Sequence, residues 1–158
     1  MGKTHAYNTT IVWTGNKGKG TADYKAYDRD FILKINNKPD ILCSSDIPFL
    51  GDGTRHNPED MLLAALSSCH MLWYLHICAD KGITVTAYED NATGTMIQKP
   101  TGGGNFIEAT LNPTITITDA AHIELATALH TDANKNCFIA NSCNFPVHHK
   151  PQFVIANN

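Results

Sequence analysis

The feature that most constrains the fold is a long apolar stretch, HNPEDMLLAALSSCHMLWYLHICADKG, from His56 to Gly82. Helix signals mark both of its ends. Asn57 is a suitable N-cap and Pro58 suits the first helical position, while Gly82 can end a helix in the left-handed conformation. Between these ends the stretch is apolar on nearly every side. We therefore predict one long, buried helix that carries a thiol, Cys69, halfway along.

The segments around this helix have the alternating pattern of strands. The predicted strands cover 7–14, 21–35, 41–45, 83–97, 105–118 and 146–156. A second helix is predicted from about Asp119 to residue 136, followed by a short helical turn over 137–143. Prolines in the last strand suggest that it lies at a sheet edge. Because strands come in runs with two main helices between them, the order indicates an α+β fold, in a single domain over residues 1–158.

Composition narrows the classes of function. A net charge of −3 with 17% charged residues argues against a nucleic-acid binder that relies on a basic surface. Ser67, Ser68, His70 and His76 interrupt the best candidate for a membrane span, so we expect no membrane helix. The N-terminus lacks the apolar core of a signal peptide, so we expect a cytoplasmic protein. In that reducing compartment the five cysteines are expected to be thiols, redox centres or metal ligands.

Cys69 is surrounded on its helix by apolar neighbours. Ala65, Leu66, Leu72 and Trp73 lie three or four residues away and therefore on the same face. Packing alone can explain this arrangement, because free cysteine often behaves as a small core hydrophobe. A thiol in apolar surroundings is inert unless a cation lies nearby. A chemical role for Cys69 therefore requires a cationic partner.

The chain has only two arginines that could supply this cation, Arg29 and Arg55. In the predicted second strand, Arg29 shares a face with Phe31 and Leu33, where an unpaired guanidinium would be costly. We expect it to have an anionic partner, either a thiolate or a carboxylate. The alternative is that Arg29 extends from the end of the strand into water. Arg55, in the loop before the long helix, is the second candidate.

Patterns typical of metal sites and hydrolases are weak. Cys137 and Cys143 are six residues apart and Cys69 is adjacent to His70, and neither spacing is that of a zinc site. The chain has no G-x-S-x-G motif, and His70 points about 100° away from Cys69 around the helix. We therefore expect no metal, and we interpret His70 and His76 as packing or interface residues.

Two motifs carry a family resemblance. The segment NPEDMLLAALSSCHMLWYLHICADKGI, with CFIANSCNFPV further along, resembles the OsmC/Ohr family of thiol-dependent hydroperoxide reductases. The likeness covers nearly the whole chain and includes a GKGT turn after the first strand and the N-P-E start of the helix. Lys17 and Lys19 stand in the turn where Ohr proteins proper carry an arginine, so the chain is more similar to the OsmC-like branch.

The resemblance implies a fold of antiparallel sheets wrapped around long central helices, in an intertwined homodimer with sites at its interface. It implies that Cys69 is oxidised by peroxide and that Cys137 resolves it as a disulfide. An external dithiol, lipoyl-type in this family, would then reduce the disulfide, with no bound cofactor. Glu59 and an arginine would hold and activate the thiolate. We take Arg29 as this arginine, with Arg55 as the alternative, and Cys143 is a rival resolving thiol.

Helix geometry adds a constraint to this assignment. Glu59 and Cys69 are ten residues apart, which is about 15 Å along a helix axis and too far for one side chain to bridge. If both serve one site, Glu59 comes from a second copy in a two-fold dimer. The expected apolar walls of the site are Leu62, Leu66, Met71, Leu72, Trp73 and Phe138.

The expected function is thus reduction of organic hydroperoxides to alcohols by a homodimeric thiol peroxidase. A second hypothesis is a binding or redox-sensing protein of the same fold with little turnover. A third is a structural protein with packed cysteines, in which no two thiols lie within disulfide reach.

Overall fold

The structure, a computed structural model, describes residues 2–156. The chain divides into two compact units, one up to Met61 and one from Leu62. Its helices and strands follow the predicted α+β order, which confirms the predicted fold class.

The first unit contains a three-stranded antiparallel sheet. Its strands, in spatial order, are β1 (Thr10–Trp13), β2 (Phe31–Lys34) and β3 (Ile41–Cys43). A 3₁₀ turn, Ile47–Phe49, follows the sheet.

The predicted strand over 21–35 is wrong in its first half. Only Phe31–Lys34 is a strand, and most of the preceding residues form turns and bends. The carboxylate of Asp23 accepts the backbone N–H of Lys25 at 2.8 Å, a local bond that competes with strand pairing. The face that was assigned to Arg29 from strand alternation therefore does not exist.

The long helix α1 spans Pro58–Asp80, as predicted. The side chain of Asn57 accepts the N–H of Asp60 at 2.7 Å, which satisfies one of the free donors of the first turn. Gly82 has a φ of 73°, the left-handed conformation that terminates the helix. Both predicted end signals are confirmed.

The buried side of α1 identifies it as a core helix. By length and composition alone, α1 could cross a membrane. By that measure, the prediction that its polar residues exclude a membrane span is wrong. Its buried residues nevertheless recur every four positions and form one stripe. They are Leu66, His70, Tyr74 and Cys78. This stripe packs against the apolar clusters of the second unit.

The second unit contains two mixed sheets and the helix α2 (Ile123–Asn136). The strands are β4 (Val85–Asp90), β5 (Thr93–Gln98), β6 (Gly104–Leu111), β7 (Pro113–Ile117), β8 (Val147–His149) and β9 (Gln152–Ile155). One sheet has the order β4-β7-β9 and the other β5-β6-β8. The pairs β4–β7 and β5–β6 are antiparallel, whereas β6–β8 and β7–β9 are parallel.

The predicted strands over 83–97 and 105–118 are each split in two, so that one long hairpin contributes to both sheets. At the split, the carboxylate of Asp90 accepts the backbone N–H of Asn112 at 2.7 Å. The side-chain amide of Asn112 donates to the carbonyl of Asn91 at 2.9 Å. These bonds replace ladder bonds where the chain changes sheets.

The last predicted strand is also split, into β8 and β9, and each piece lies at a sheet edge as its prolines predict.

The second helix begins with a 3₁₀ turn, Ala120–His122, which Asp119 caps by accepting the N–H of Ala121 at 2.9 Å. A further 3₁₀ turn, Ala140–Ser142, follows α2 and confirms the predicted helical turn. This last turn lies on the path of the chain from α2 to β8.

Candidate active site

The structure brings two of the predicted site residues, Cys69 and Cys137, into one apolar cluster. Cys137 is fully buried with Leu66, Ala109 and Leu111, and the half-buried Cys69 packs against this group. We call these five residues the thiol cluster. Cys69 comes from the middle of α1, and Cys137 is the first residue after α2, where the backbone turns from helical to extended.

Local interactions hold Cys137 as a protonated thiol at neutral pH. Burial, with a smaller contribution from the neighbouring Cys69 side chain, raises the pKa of Cys137 to about 11. The Sγ atom of Cys137 also accepts the N–H of Ala140 at 3.3 Å, which positions it on the 3₁₀ turn. Because Cys137 is fully buried and Cys69 is only half-buried, Cys69 is the accessible thiol of the two.

Aromatic side chains lie beside the thiol cluster. Trp73 packs against the cluster one turn after Cys69, and its ring meets Phe138 edge to face at a centroid distance of 5.9 Å. Phe138 is 70% exposed and Leu72 is 63% exposed. The predicted walls are thus partly accessible at these positions, whereas Leu66 is buried in the core.

Arg29 lies in the first unit, in the loop before β2, and its cation is held by aromatic rings and carbonyl groups. Its guanidinium carbon lies 4.2 Å from the ring centroid of Tyr24 and 4.3 Å from that of Tyr27. The Nη atoms donate to the backbone carbonyls of the same two residues, each at 2.6 Å. Within residues 2–156, no carboxylate forms an ion pair with Arg29.

Arg55, also in the first unit, is already paired with two carboxylates. Its Nη2 atom lies 3.3 Å from Asp30, and its Nε atom lies 3.3 Å from Asp52. The pKa of Asp52 is lowered, mainly by hydrogen bonds from Thr54 and in smaller part by Arg55. The two arginines therefore differ in whether their charge is neutralised by an acid.

Glu59 lies in the first turn of α1, where a carboxylate favours the helix dipole. It belongs to the first unit, and the two thiols belong to the second. In the described part of the chain, Glu59 forms no ion pair within 4.0 Å.

The remaining cysteines lie elsewhere. Cys78 is buried in a separate cluster with Tyr74 and Ile83, on the opposite side of α1 from Cys69, as its spacing predicts. Burial raises the pKa of both Cys78 and Cys143. Cys43 is buried in the first unit, and all five cysteines are free thiols.

Metal ligands are not grouped in the described residues, where no set of three or more His, Cys, Asp and Glu side chains could hold an ion. Sequence reasoning interpreted His70 as a packing residue, and it is buried. It did not single out His130 or His149, which the fold brings to the same place.

The fold has clear counterparts among solved structures. An OsmC-like protein of unknown function from Vibrio cholerae is 27% identical, with a TM-score of 0.83 over 94% of this chain and 99% of that one. An organic hydroperoxide resistance protein from Elizabethkingia anophelis, solved with thiocyanate bound, is 19% identical, with a TM-score of 0.69 over 99% of this chain and 100% of that one. One from Legionella pneumophila is 16% identical, with a TM-score of 0.64 over 96% and 100%. At the two lower identities the likeness shows the fold alone.

No curated protein sequence matches the chain. The family model of OsmC-like proteins, however, matches residues 51–151, well over half of the chain. The matched region contains α1 with Cys69, α2, and Cys137. The chain belongs to the OsmC-like family.

Proposed function

We propose that the protein is a thiol-dependent peroxidase that reduces organic hydroperoxides to alcohols. The observation that carries this proposal is the packing of the half-buried Cys69 against the buried Cys137 in one cluster. A structural protein with dispersed cysteines has no need for such a pair. Two solved relatives of the same fold are named organic hydroperoxide resistance proteins, which supports the reaction class.

In the first step, the Cys69 thiolate attacks the terminal oxygen of the hydroperoxide. The O–O bond breaks, the sulfur becomes a sulfenic acid, and the departing alkoxide takes up a proton to become the alcohol. Cys69 suits this role because it is the accessible thiol of the pair.

In the second step, the Cys137 sulfur attacks the sulfenic acid, water leaves, and a Cys69–Cys137 disulfide forms. Because burial raises the pKa of Cys137 to about 11, this thiol is a poor nucleophile until Cys69 has been oxidised and the proton of Cys137 can leave with the water. An external dithiol, for which we propose a lipoyl-type compound, then reduces the disulfide by exchange and is itself oxidised. No bound cofactor is needed.

The apolar surface beside Cys69 favours an organic substrate. Leu72 and Phe138 expose most of their side chains, and Trp73 contacts both Phe138 and the thiol cluster. An alkyl or aryl group would bury this surface, at about 25 cal/mol per Å² of apolar area. Hydrogen peroxide has no such group to contribute.

Arg29 is the cation that we assign to the thiolate. Its guanidinium is bound by two tyrosine rings and two carbonyls, none of which cancels its charge. A carboxylate pair already neutralises Arg55. Arg29 is therefore the arginine that is free to stabilise an additional anion.

The site is proposed to form in a homodimer. Glu59 and Cys69 lie about 15 Å apart along α1, so Glu59 cannot reach the Cys69 thiolate of its own chain. The apolar side chain of Leu62, which lies close to Glu59 on α1, is exposed in the single chain. A second copy that covers Leu62 and supplies Glu59 accounts for both observations. The free state of all five cysteines fits a reducing, cytoplasmic location.

The first prediction concerns the two thiols. With cumene hydroperoxide and dihydrolipoamide, Cys69→Ser should reduce kcat/KM by on the order of a thousandfold or more, because it removes the nucleophile. Cys137→Ser should stop multiple turnover but still form a sulfenic acid that dimedone traps. Peroxide consumption and mass spectrometry measure the two effects.

Cys78→Ser and Cys143→Ser are the matched controls, and both should retain turnover. Full activity in Cys69→Ser would contradict the proposal. A wild-type protein that is inactive with every dithiol, and whose Cys69 resists oxidation, would instead support a binding or sensing role.

The second prediction compares the two arginines. Arg29→Gln should slow alkylation of Cys69 by iodoacetamide at pH 7 by about tenfold, because fewer molecules carry the thiolate. Arg55→Gln should leave this rate within about twofold of wild type. Peptide-level mass spectrometry follows the labelling, and the reverse ranking would assign the role to Arg55.

The third prediction tests whether two copies share a site. Cys69→Ser and Glu59→Gln proteins are each expected to be weakly active alone. In a mixed dimer, one site combines the intact Cys69 of one copy with the intact Glu59 of the other. Random mixing after mild dissociation should therefore restore about a quarter of wild-type activity. Activity that stays at the average of the two variants would place both residues of each site in a single chain.

A further inference from the structure

Three histidines meet in the core of the second unit, and each comes from a different element. They are His70 of α1, His130 of α2 and His149 of β8. His70 is 1% exposed and His130 is 3% exposed. The rings of His70 and His149 stack at a centroid distance of 4.4 Å, and Tyr74 stacks on His130 at 4.0 Å.

A single proton joins two of these rings. The Nε2 atom of His70 lies 2.9 Å from the Nδ1 atom of His130, so one nitrogen donates an N–H and the other accepts it with a lone pair. If both imidazoles are charged, two N–H groups face each other and the bond is lost. The two positive charges would also repel each other in apolar surroundings, where water does not screen them.

The surroundings offer little compensation for such charges. Three titratable groups act on the rings directly: Tyr74 of α1 stacks on His130, and Asp90 of β4 and His148 of β8 act on His149. Cys78 of α1 and Tyr88 of β4 lie behind them, against Tyr74. Burial raises the pKa of Tyr74, Cys78 and Tyr88, so these groups are neutral. Asp90 is the only acid among them, and it acts on His149.

The histidines are consequently neutral in the folded protein. Burial, with smaller contributions from the neighbouring histidines, lowers the pKa of His70 to about 3 and that of His130 to about 4. Burial also lowers the pKa of His149. An exposed histidine titrates near pH 6.5, so below that pH the opened chain binds more protons than the folded one. The contribution of this cluster to the free energy of unfolding is complete above about pH 6.5 and is lost as the pH falls below that value.

We propose that His70, His130 and His149 form an acid-sensitive clamp that joins α1, α2 and β8 at neutral pH and releases them on protonation. The clamp and the thiol cluster are built on the same elements: His70 follows Cys69 directly on α1, Cys137 is the first residue after α2, and β8 pairs His149 with Leu111 of the thiol cluster. Release would therefore expose the buried Cys137. This inference does not depend on peroxidase activity.

The test replaces the titrating pair while keeping its hydrogen bond. In the double variant His70→Gln/His130→Asn, the amides stand in for the Nε2 and Nδ1 atoms that face each other, and neither amide can gain a proton. The free energy of unfolding in urea is measured from pH 7.5 to pH 4.5, and its slope gives the protons taken up on unfolding. At pH 5.5 the double variant should take up about two fewer protons than wild type. His76→Gln, which removes an exposed histidine of the same helix, should not reproduce this change.

Labelling of Cys137 by dithiodipyridine shows whether the elements separate. Between pH 7.5 and pH 5.5, exposure of Cys137 in wild type should increase on the order of tenfold for each histidine of the pair. In the double variant, which keeps His149, the increase should be on the order of a hundredfold smaller. Equal proton uptake in wild type and double variant, or equal labelling, would overturn the proposal.

If the double variant does not fold, a measurement on the wild type tests the proposal instead. Nitrogen-15 spectra of the imidazoles should show His70 and His130 neutral at pH 5.5. Spectra in which His70 and His130 are protonated in the folded protein at pH 5.5 would overturn the clamp.

Discussion

The packing of the buried stripe of α1 is the interaction on which the rest of the structure depends. Each step of four residues moves this stripe about 40° around the helix, so Leu66 packs in one apolar cluster of the second unit and Tyr74 and Cys78 pack in the other. The end of α2 packs into one of these clusters through Cys137. Cys69, on the edge of the same contact, is thereby placed beside Cys137 although the two are far apart in sequence. Helix packing, without any dedicated loop, creates the thiol pair.

Features that depend on local chemistry were predictable from the sequence. The N-cap at Asn57 and the left-handed Gly82 each act within a few residues. The opposite placement of Cys69 and Cys78 follows from helix periodicity alone. These predictions succeed because no distant part of the chain competes with them.

Features that depend on distant hydrogen bonds were not predictable. The long hairpin changes sheets where the carboxylate of Asp90 accepts the backbone N–H of Asn112. The alternating pattern of a single strand does not indicate that hydrogen bond. Arg29 illustrates a different difficulty. The strand face that suggested it is replaced by turns, and two tyrosine rings lie against its guanidinium. The histidine cluster assembles three elements and has no local signal at all.

Burial raises the pKa of Cys137 and lowers the pKa of the core histidines His70 and His130. It keeps Cys137 protonated and the core histidines neutral, so that the neutral forms of both are part of the packed structure. Oxidation of Cys69 and acid would each disturb that packing, one by joining the thiols and the other by charging the histidines.

The most direct test of the central claim is disulfide mapping after reaction with one equivalent of cumene hydroperoxide in the absence of reductant. Peptide mass spectrometry of the alkylated protein identifies the cysteines that have joined. The account predicts a Cys69–Cys137 disulfide, with Cys43, Cys78 and Cys143 still reduced. A disulfide from Cys69 to Cys143, or an oxidised Cys69 that never pairs, would contradict it.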